Sequence, residues 1–326
     1  MTAITSAEPE YFAGGELAPE QHWVFFRRLL SKKIATLALI YLVIFYGAGI
    51  IGPFVAPHDP NKQELTIQAR LAGPSLDHPF GTDALGRDLF SRVLSSARTT
   101  IIFTAIVILS GEFFVGLGLG LLAGYRGGNT DTAIMRTGEV LAGIPTLILM
   151  LAIAASFRQR IDDLAYWLQV HTWLGPDAKL WVKFTIVVGV AVPFSWVGAS
   201  RIVRGQVLSM RESTYVLAAE AMGASTWRII WHHLLPGILP IFIVGLSSSM
   251  AGIAGIEVAL SYLGLGIDPP AASFGTLIGD AGGVRTLQDH PHLLIASALP
   301  VVLFFFAWNL LGDALVDVFE PRTNRR

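Results

Sequence analysis

The chain has 326 residues, 53% hydrophobic and only 14% charged, with a mean hydropathy of +0.58. A soluble domain is typically about 25% charged, and here the charges leave long bare runs, which excludes a disordered chain and argues against a soluble one. A net charge of −1 gives no global basic field for nucleic acid, and zero cysteines exclude disulfides, Cys-based metal sites and thiol nucleophiles.

Residues 1–33 read as a cytoplasmic N-terminal segment and 34–56, which carry no charge, as a first transmembrane helix. The span starts too far in for a signal peptide. Pro57-His58-Asp59-Pro60 follows it in place of a small-residue cleavage site, so it is a retained anchor. Arg27, Arg28, Lys32 and Lys33 precede the span and orient the N-terminus to the cytoplasm. Residues 57–99 form an outer loop. Within it Asp83 is the expected N-cap of a helix whose Leu85, Leu89, Val93 and Ala97 make one apolar stripe. That helix is expected to lie on the outer membrane surface and lead into the second span.

The remaining 100–316 read as a five-helix core. The second span, 100–124, carries one charge, Glu112, and a Gly116/Gly120/Gly124 row at spacing four. That row reads as a close helix-packing face and not as a nucleotide loop, since no strand precedes it. Gly127, Gly128 and Asn129 mark a tight inner turn over 125–133. The third span, 140–157, starts as a helix near Ile134, with Glu139 paired to Arg136. An outer insertion, 158–183, places Ile161, Leu164, Trp167, Leu168, His171 and Leu174 on one helical face and ends at Gly175-Pro176. With Trp167, Trp173 and Trp181, it reads as a helix at the membrane surface. The fourth span is 184–200, the fifth 237–265 with Glu257, and the sixth 293–312. A cytoplasmic tail, 317–326, carries Arg322, Arg325 and Arg326.

Between the fourth and fifth spans lies the long inner loop 201–236. Ser213 is expected to cap a short helix from Thr214, and Ala218, Ala219, Ala221 and Gly223 are small enough to admit a close neighbour. Ordered helical signals in a cytoplasmic loop of this length point to a docking element; an extension of the flanking helices is the alternative. Catalytic motifs are missing. No Lys follows a Gly, so there is no GxxxxGK[ST] phosphate loop, and neither HExxH nor GxSxG occurs. His232 and His233 are adjacent and His290 and His292 flank Pro291, so no metal site is expected. Glu112 and Glu257 are the two intramembrane acids. They are candidates for a pathway or gating role and must face protein or water.

The segments GTDALGRDLFSR (81–92), LAGYRGGNTDTAIMR (122–136), YVLAAEAMGAS (215–225), RIIWHHLLPGILP (228–240) and EVALSYLGLGIDPP (257–270) give the chain a recognisable character. It resembles the inner-membrane permease subunits of ABC importers, in the dipeptide/oligopeptide/nickel branch. The resemblance runs from about Phe25 to Arg322. It implies an all-α membrane protein of six transmembrane helices, the type I importer permease fold, with a cytoplasmic coupling helix seated on a separate ATPase. The residues then placed at the coupling site are Ser213, Tyr215, Leu217, Ala218, Ala219, Glu220, Gly223, Ala224 and Ser225, with Leu235-Pro236 closing the motif. Leu217 stands where the family has a Glu, and an acid appears instead at Glu220.

The resemblance also implies partners. These are a second homologous permease subunit, two ATP-binding subunits that use ATP and Mg, and an extracytoplasmic substrate-binding protein, in a bacterial or archaeal cytoplasmic membrane. The chain itself is expected to bind no cofactor and to catalyse no reaction. Peptides are the expected cargo, with nickel or another small solute as the alternative. A self-contained secondary transporter and a membrane enzyme are rival classes. The first would show an internal repeat and the second a cluster of reactive side chains at one depth. Neither pattern stands out in the sequence.

Overall fold

The computed structural model describes residues 27, 29–172, 178–267 and 271–319, and among these every regular element is helical. The first helix, α1 (Lys33–Val55), buries Ala35, Ala38, Leu42, Phe45, Gly49 and Gly52, a row at spacing three and four. That row is one helical stripe, and it packs between the second and sixth spanning units. A Cβ on Gly52 would lie 2.9 Å from Leu94 Cβ, so the glycine is what allows α1 to approach so closely.

The second unit is one apolar run, Leu89–Arg126, made of α2 (Leu89–Val107), a π-helical stretch Ile108–Gly116 and α3 (Leu117–Arg126). Two expectations are corrected here. The helix does not lie on the membrane surface, because Ser91, Arg92, Leu94 and Ser96 are buried as well as Leu89, Val93 and Ala97. Burial on several sides drives the segment into the bundle. The N-cap is Asp88 and not Asp83: its carboxylate accepts from Ser91 N at 2.8 Å. Asp83 instead accepts from the Leu85 and Arg87 backbone N–H groups, at 2.8 and 3.0 Å, inside the preceding loop.

The Gly116/Gly120/Gly124 row packs as expected. A Cβ on each would sit 2.6–2.7 Å from Ala199, Val203 and Val207 Cβ atoms respectively, and Gly111 meets Ser195 in the same register. Four glycines, the first set five residues back across the π-helical stretch, face four residues spaced by four and let two helix backbones touch along their length.

Gly127, at φ +63°, turns the chain into α4 (Gly128–Ala142). The expected continuous third span is instead a broken pair: α4 and α5 (Thr146–His171) meet at an 80° bend across residues 143–145. Pro145 explains the break, since it has no N–H and its ring disfavours helical backbone at Ile144. Helix α5 then runs straight through the insertion to His171. Ile161 and Ala165 pack with Val182, Leu168 and Ile186, so this part of α5 lies against the next unit and is not a separate surface-lying helix. Leu164, Trp167 and His171 fall on its exposed side, one step round from the face read in the sequence. Trp173, Leu174, Gly175 and Pro176 lie outside the described residues.

Helix α6 (Ala178–Met210) is followed by α7 (Thr214–Ala221) and α8 (Thr226–Ile229). A π-turn Ile230–Leu234 then leads into α9 (Leu235–Tyr262). Residues 201–210 and 226–236 are therefore helical extensions, and only 211–225 bridge the two units. Two short helices, α10 (Phe274–Ala281) and α11 (Val284–Asp289), precede α12 (Pro291–Phe319). Phe274 is fully buried 6.0 Å from Phe45, whose ring also meets Phe304 at 4.5 Å, so α10 packs into the end of the bundle.

Among the described residues, length and composition give five continuous apolar helices and one bent pair able to cross a membrane. Lys32 pairs with Asp317 at 2.6 Å, which brings the start of α1 and the end of α12 together at one end of the bundle.

Candidate functional site

Helix α7 is bounded by extended backbone at Ser213 and by a left-handed glycine, Gly223. Ser213 occupies the N-cap position with extended backbone, and its carbonyl accepts from Val216 and Leu217 N, both at 3.1 Å. Its hydroxyl does not cap the helix, contrary to expectation, but donates to Met210 O at 2.6 Å. At the other end Ala224 N donates to Ala219 O at 3.0 Å and Gly223 N to Glu220 O at 2.9 Å, with Gly223 at φ +82°. This is the Schellman geometry, which needs a residue tolerant of the left-handed region. Ser225 Oγ then accepts from Arg228 N, at 3.4 Å, to start α8.

One side of α7 is anchored. Val216 and Ala219 are buried with Val207, Ile229, Leu234, Ile238 and Phe242, the side chains that join the ends of α6 and α9. The other side is open. Tyr215, Leu217, Ala218, Glu220 and Ala221 are exposed, and so are Met222 at 82% and Trp227 at 68%. A stripe of aromatic and aliphatic groups beside small residues is a contact surface in search of a partner. Nothing lies within 4 Å of a Cβ placed on Gly223.

Sequence reasoning missed the struts that hold this segment. Tyr125 OH donates to Glu220 Oε1 at 2.9 Å, tying α7 to the end of α3. Arg211 Nη1 donates to Gly124 O at 3.2 Å, and Arg204 forms a two-point ion pair with Asp131 of α4. All join residues about 70 or more apart in sequence, so no local pattern announces them. Glu220 is exposed and is tethered to the end of α3 through one carboxylate oxygen.

The two intramembrane acids are well separated in environment. Glu112 sits in the π-helical stretch and accepts from Ser249 Oγ at 2.6 Å. Glu257 is fully buried and accepts from Thr100 Oγ1 at 3.2 Å and Ser261 Oγ at 2.9 Å, while Ser261 Oγ also accepts from Ile267 N. That arrangement ties α9 to α2 and to the chain leaving α9. It leaves Glu257 no open face for a solute.

At the opposite end, the 81–92 segment folds into a charged knot. Asp83 Oδ2 lies 2.6 Å from Arg87 Nε and 3.6 Å from Arg92 Nε, while Arg87 Nη2 reaches Asp280 of α10 at 3.1 Å. Burial pushes the Asp280 carboxyl above the usual carboxylate range, and Arg87 and Arg92 pull against it. Arg87 and Arg92 are themselves buried, so the network fixes the loop to the bundle. Against the expectation of no metal-type grouping, His58, His78 and Asp88 also converge here. Their positions in sequence are too scattered to form a recognisable motif.

A family profile described as "Binding-protein-dependent transport system inner membrane component" matches residues 116–325, and one described as the N-terminal TM domain of oligopeptide transport permease C matches residues 22–74. The dipeptide transport system permease protein DppC of Bacillus subtilis is 37% identical, covering 92% of this chain and 85% of its own. The probable D,D-dipeptide transport system permease protein DdpC of Escherichia coli is 32% identical, over 98% and 96%. The glutathione transport system permease protein GsiD of Pectobacterium atrosepticum is 31% identical, over 91% and 90%. With this coverage and this helical architecture, the chain belongs to the binding-protein-dependent ABC transport permeases, as a multi-pass transmembrane subunit.

Proposed function

We propose that this chain forms half of the transmembrane pathway of an ATP-driven importer of peptides or similar small solutes. The peptide assignment rests on what the relatives are named for. The other half of the pathway is a second, homologous permease subunit, and an extracytoplasmic binding protein delivers the solute. Two separate ATP-binding subunits, using ATP and Mg, drive the cycle. The termini and α7 face the cytoplasm in a bacterial cytoplasmic membrane.

The observation that carries this reading is the construction of α7. Its buried side is fixed to the ends of two spanning helices through Val216 and Ala219, and its other side presents Tyr215, Leu217, Ala218 and Met222 outward. A load applied to that face passes into α6 and α9 without being absorbed by a flexible loop. The Tyr125–Glu220 hydrogen bond extends it to α3. ATPase closure against α7 would therefore move three spanning units together, the kind of rigid-body change that alternates access.

The test is retention of the ATP-binding subunits. The wild-type chain should co-purify with a protein carrying a phosphate loop. Gly223→Val forces a β-branched residue into φ +82°, at a strain of about 1–2 kcal/mol. It should insert normally, lose ATPase retention and lose uptake. Full uptake by Gly223→Val would remove α7 from the coupling role.

A further inference from the structure

Three ligand-type side chains from separate stretches meet where α1 ends and α2 begins. His58 follows α1, Asp88 caps α2, and His78 comes from the loop between. His78 Nδ1 lies 2.9 Å from Asp88 Oδ1, and His58 Nδ1 lies 4.0 Å from Asp88 Oδ2. The three ligand atoms all fall within 4.8 Å of one another. The two imidazoles stack with centroids 4.6 Å apart.

The cluster is held in place. The Asp88 side chain is 1% exposed, and its Oδ2 accepts from Ser91 N at 2.8 Å and Ser91 Oγ at 2.6 Å. The same Ser91 Oγ accepts from His58 N at 3.3 Å, so one residue orients both the carboxylate and the His58 backbone. Yet His58 Nδ1 is shielded from solvent and has no hydrogen-bond partner among the described residues. A shielded ring nitrogen turned toward a carboxylate, too far for a hydrogen bond, is an unsatisfied arrangement that a cation between them would resolve.

We propose that His58 Nδ1, His78 Nδ1 and the Asp88 carboxylate form a binding site for a divalent transition-metal ion of the zinc class. The site would clasp the end of the first spanning helix to the start of the second. The dimensions fit. Bonds of about 2.0 Å to a tetrahedral ion separate neighbouring ligand atoms by about 3.3 Å. The observed 2.9 and 4.0 Å, to the two oxygens of Asp88, bracket that value, and closing the site requires the stacked imidazoles to turn so that both Nδ1 lone pairs face one ion. Two imidazoles and one carboxylate suit zinc, cobalt or nickel, whereas magnesium and calcium require a shell of oxygens. The ion takes the place of the proton on His78 Nδ1, leaving that ring's proton on Nε2. The fourth position belongs to water, reached through the part of the His58 ring that remains exposed.

The test uses the full-length chain in detergent, purified with a tag that contains no histidine and stripped with chelator. Titration with Zn2+ alone should give one tight site per chain and raise the melting temperature, reversed by chelator. His58→Phe keeps the ring stack and removes a ligand. It should weaken Zn2+ binding by more than about 100-fold, beyond what loss of a supporting group costs. His290→Ala should bind as the wild type does. His58→Cys guards against misfolding artefacts, because the chain has no other cysteine. Loaded with Co2+, it should show the near-ultraviolet charge-transfer band of a cobalt–thiolate bond. Absence of saturable Zn2+ binding by the wild type, unchanged affinity in His58→Phe, or bound Co2+ without that band in His58→Cys would each overturn the site.

Discussion

Single residues divide by whether their role is local. The Gly116/Gly120/Gly124 row is readable in sequence because helix geometry alone places every fourth residue on one side, and small residues there mean backbone contact. The structure adds the opposing row, Ala199, Val203 and Val207. Gly120→Leu should therefore be severe, since a Cβ there already lies 2.6 Å from Val203 Cβ and 2.8 Å from Ser200 O. Overpacking of this kind costs about 1–3 kcal/mol. It should appear as a lowered melting temperature of the purified chain, whereas Gly118→Leu, with nothing within 4 Å, should be close to neutral. Glu220 was legible only as an acid out of place. Its partner Tyr125 lies 95 residues away, so only tertiary structure reveals the bond.

At the scale of elements, long uncharged apolar runs located the spanning units and failed at their edges. The insertion after the third span shows why. Its amphipathic pattern fits either a helix on a membrane or a helix packed on a neighbour, and the sequence does not say which apolar surface it meets. The neighbour is Val182, and the buried side is the one carrying Ile161 and Ala165. Ile161→Asp should split α5 from α6 at a cost of about 2 kcal/mol or more, through an unpaired buried charge. Limited proteolysis should then cut within 158–180 while the spanning units stay intact. Trp167→Asp, on the exposed side, should change stability by no more than about 0.5 kcal/mol. The break between α4 and α5 had a visible signal in Pro145, but a proline within a span can kink, break or simply be tolerated, and the outcome depends on packing.

For the whole molecule, the number of crossings makes a prediction that does not depend on absolute orientation. Lys32 and Asp317 meet at one end of the bundle, and the His58 cluster lies at the other. In this cysteine-free chain, single cysteines at Lys32, Ser213 and Asp317 should react with an impermeant thiol reagent from one side of the membrane only. A cysteine at Asn61 should react from the opposite side only. Labelling of Ser213 and Asn61 from the same side would break the six-crossing arrangement. Under the proposed function, the first three positions are the cytoplasmic ones.

The sequence by itself determined the membrane class, the approximate positions of five of the apolar spans, the close-packing glycine face and the permease family. The first three depend on composition and on spacings within one turn or one span, which the chain cannot hide, whereas the family rests on the resemblance of whole segments such as 81–92 and 215–225. Tertiary structure alone decided which side of each amphipathic helix is covered and how α7 is braced. It also decided that Asp88 and not Asp83 starts α2, and that two histidines and an aspartate face one another. Those outcomes depend on pairs of residues far apart in the chain, brought together only when the helices pack.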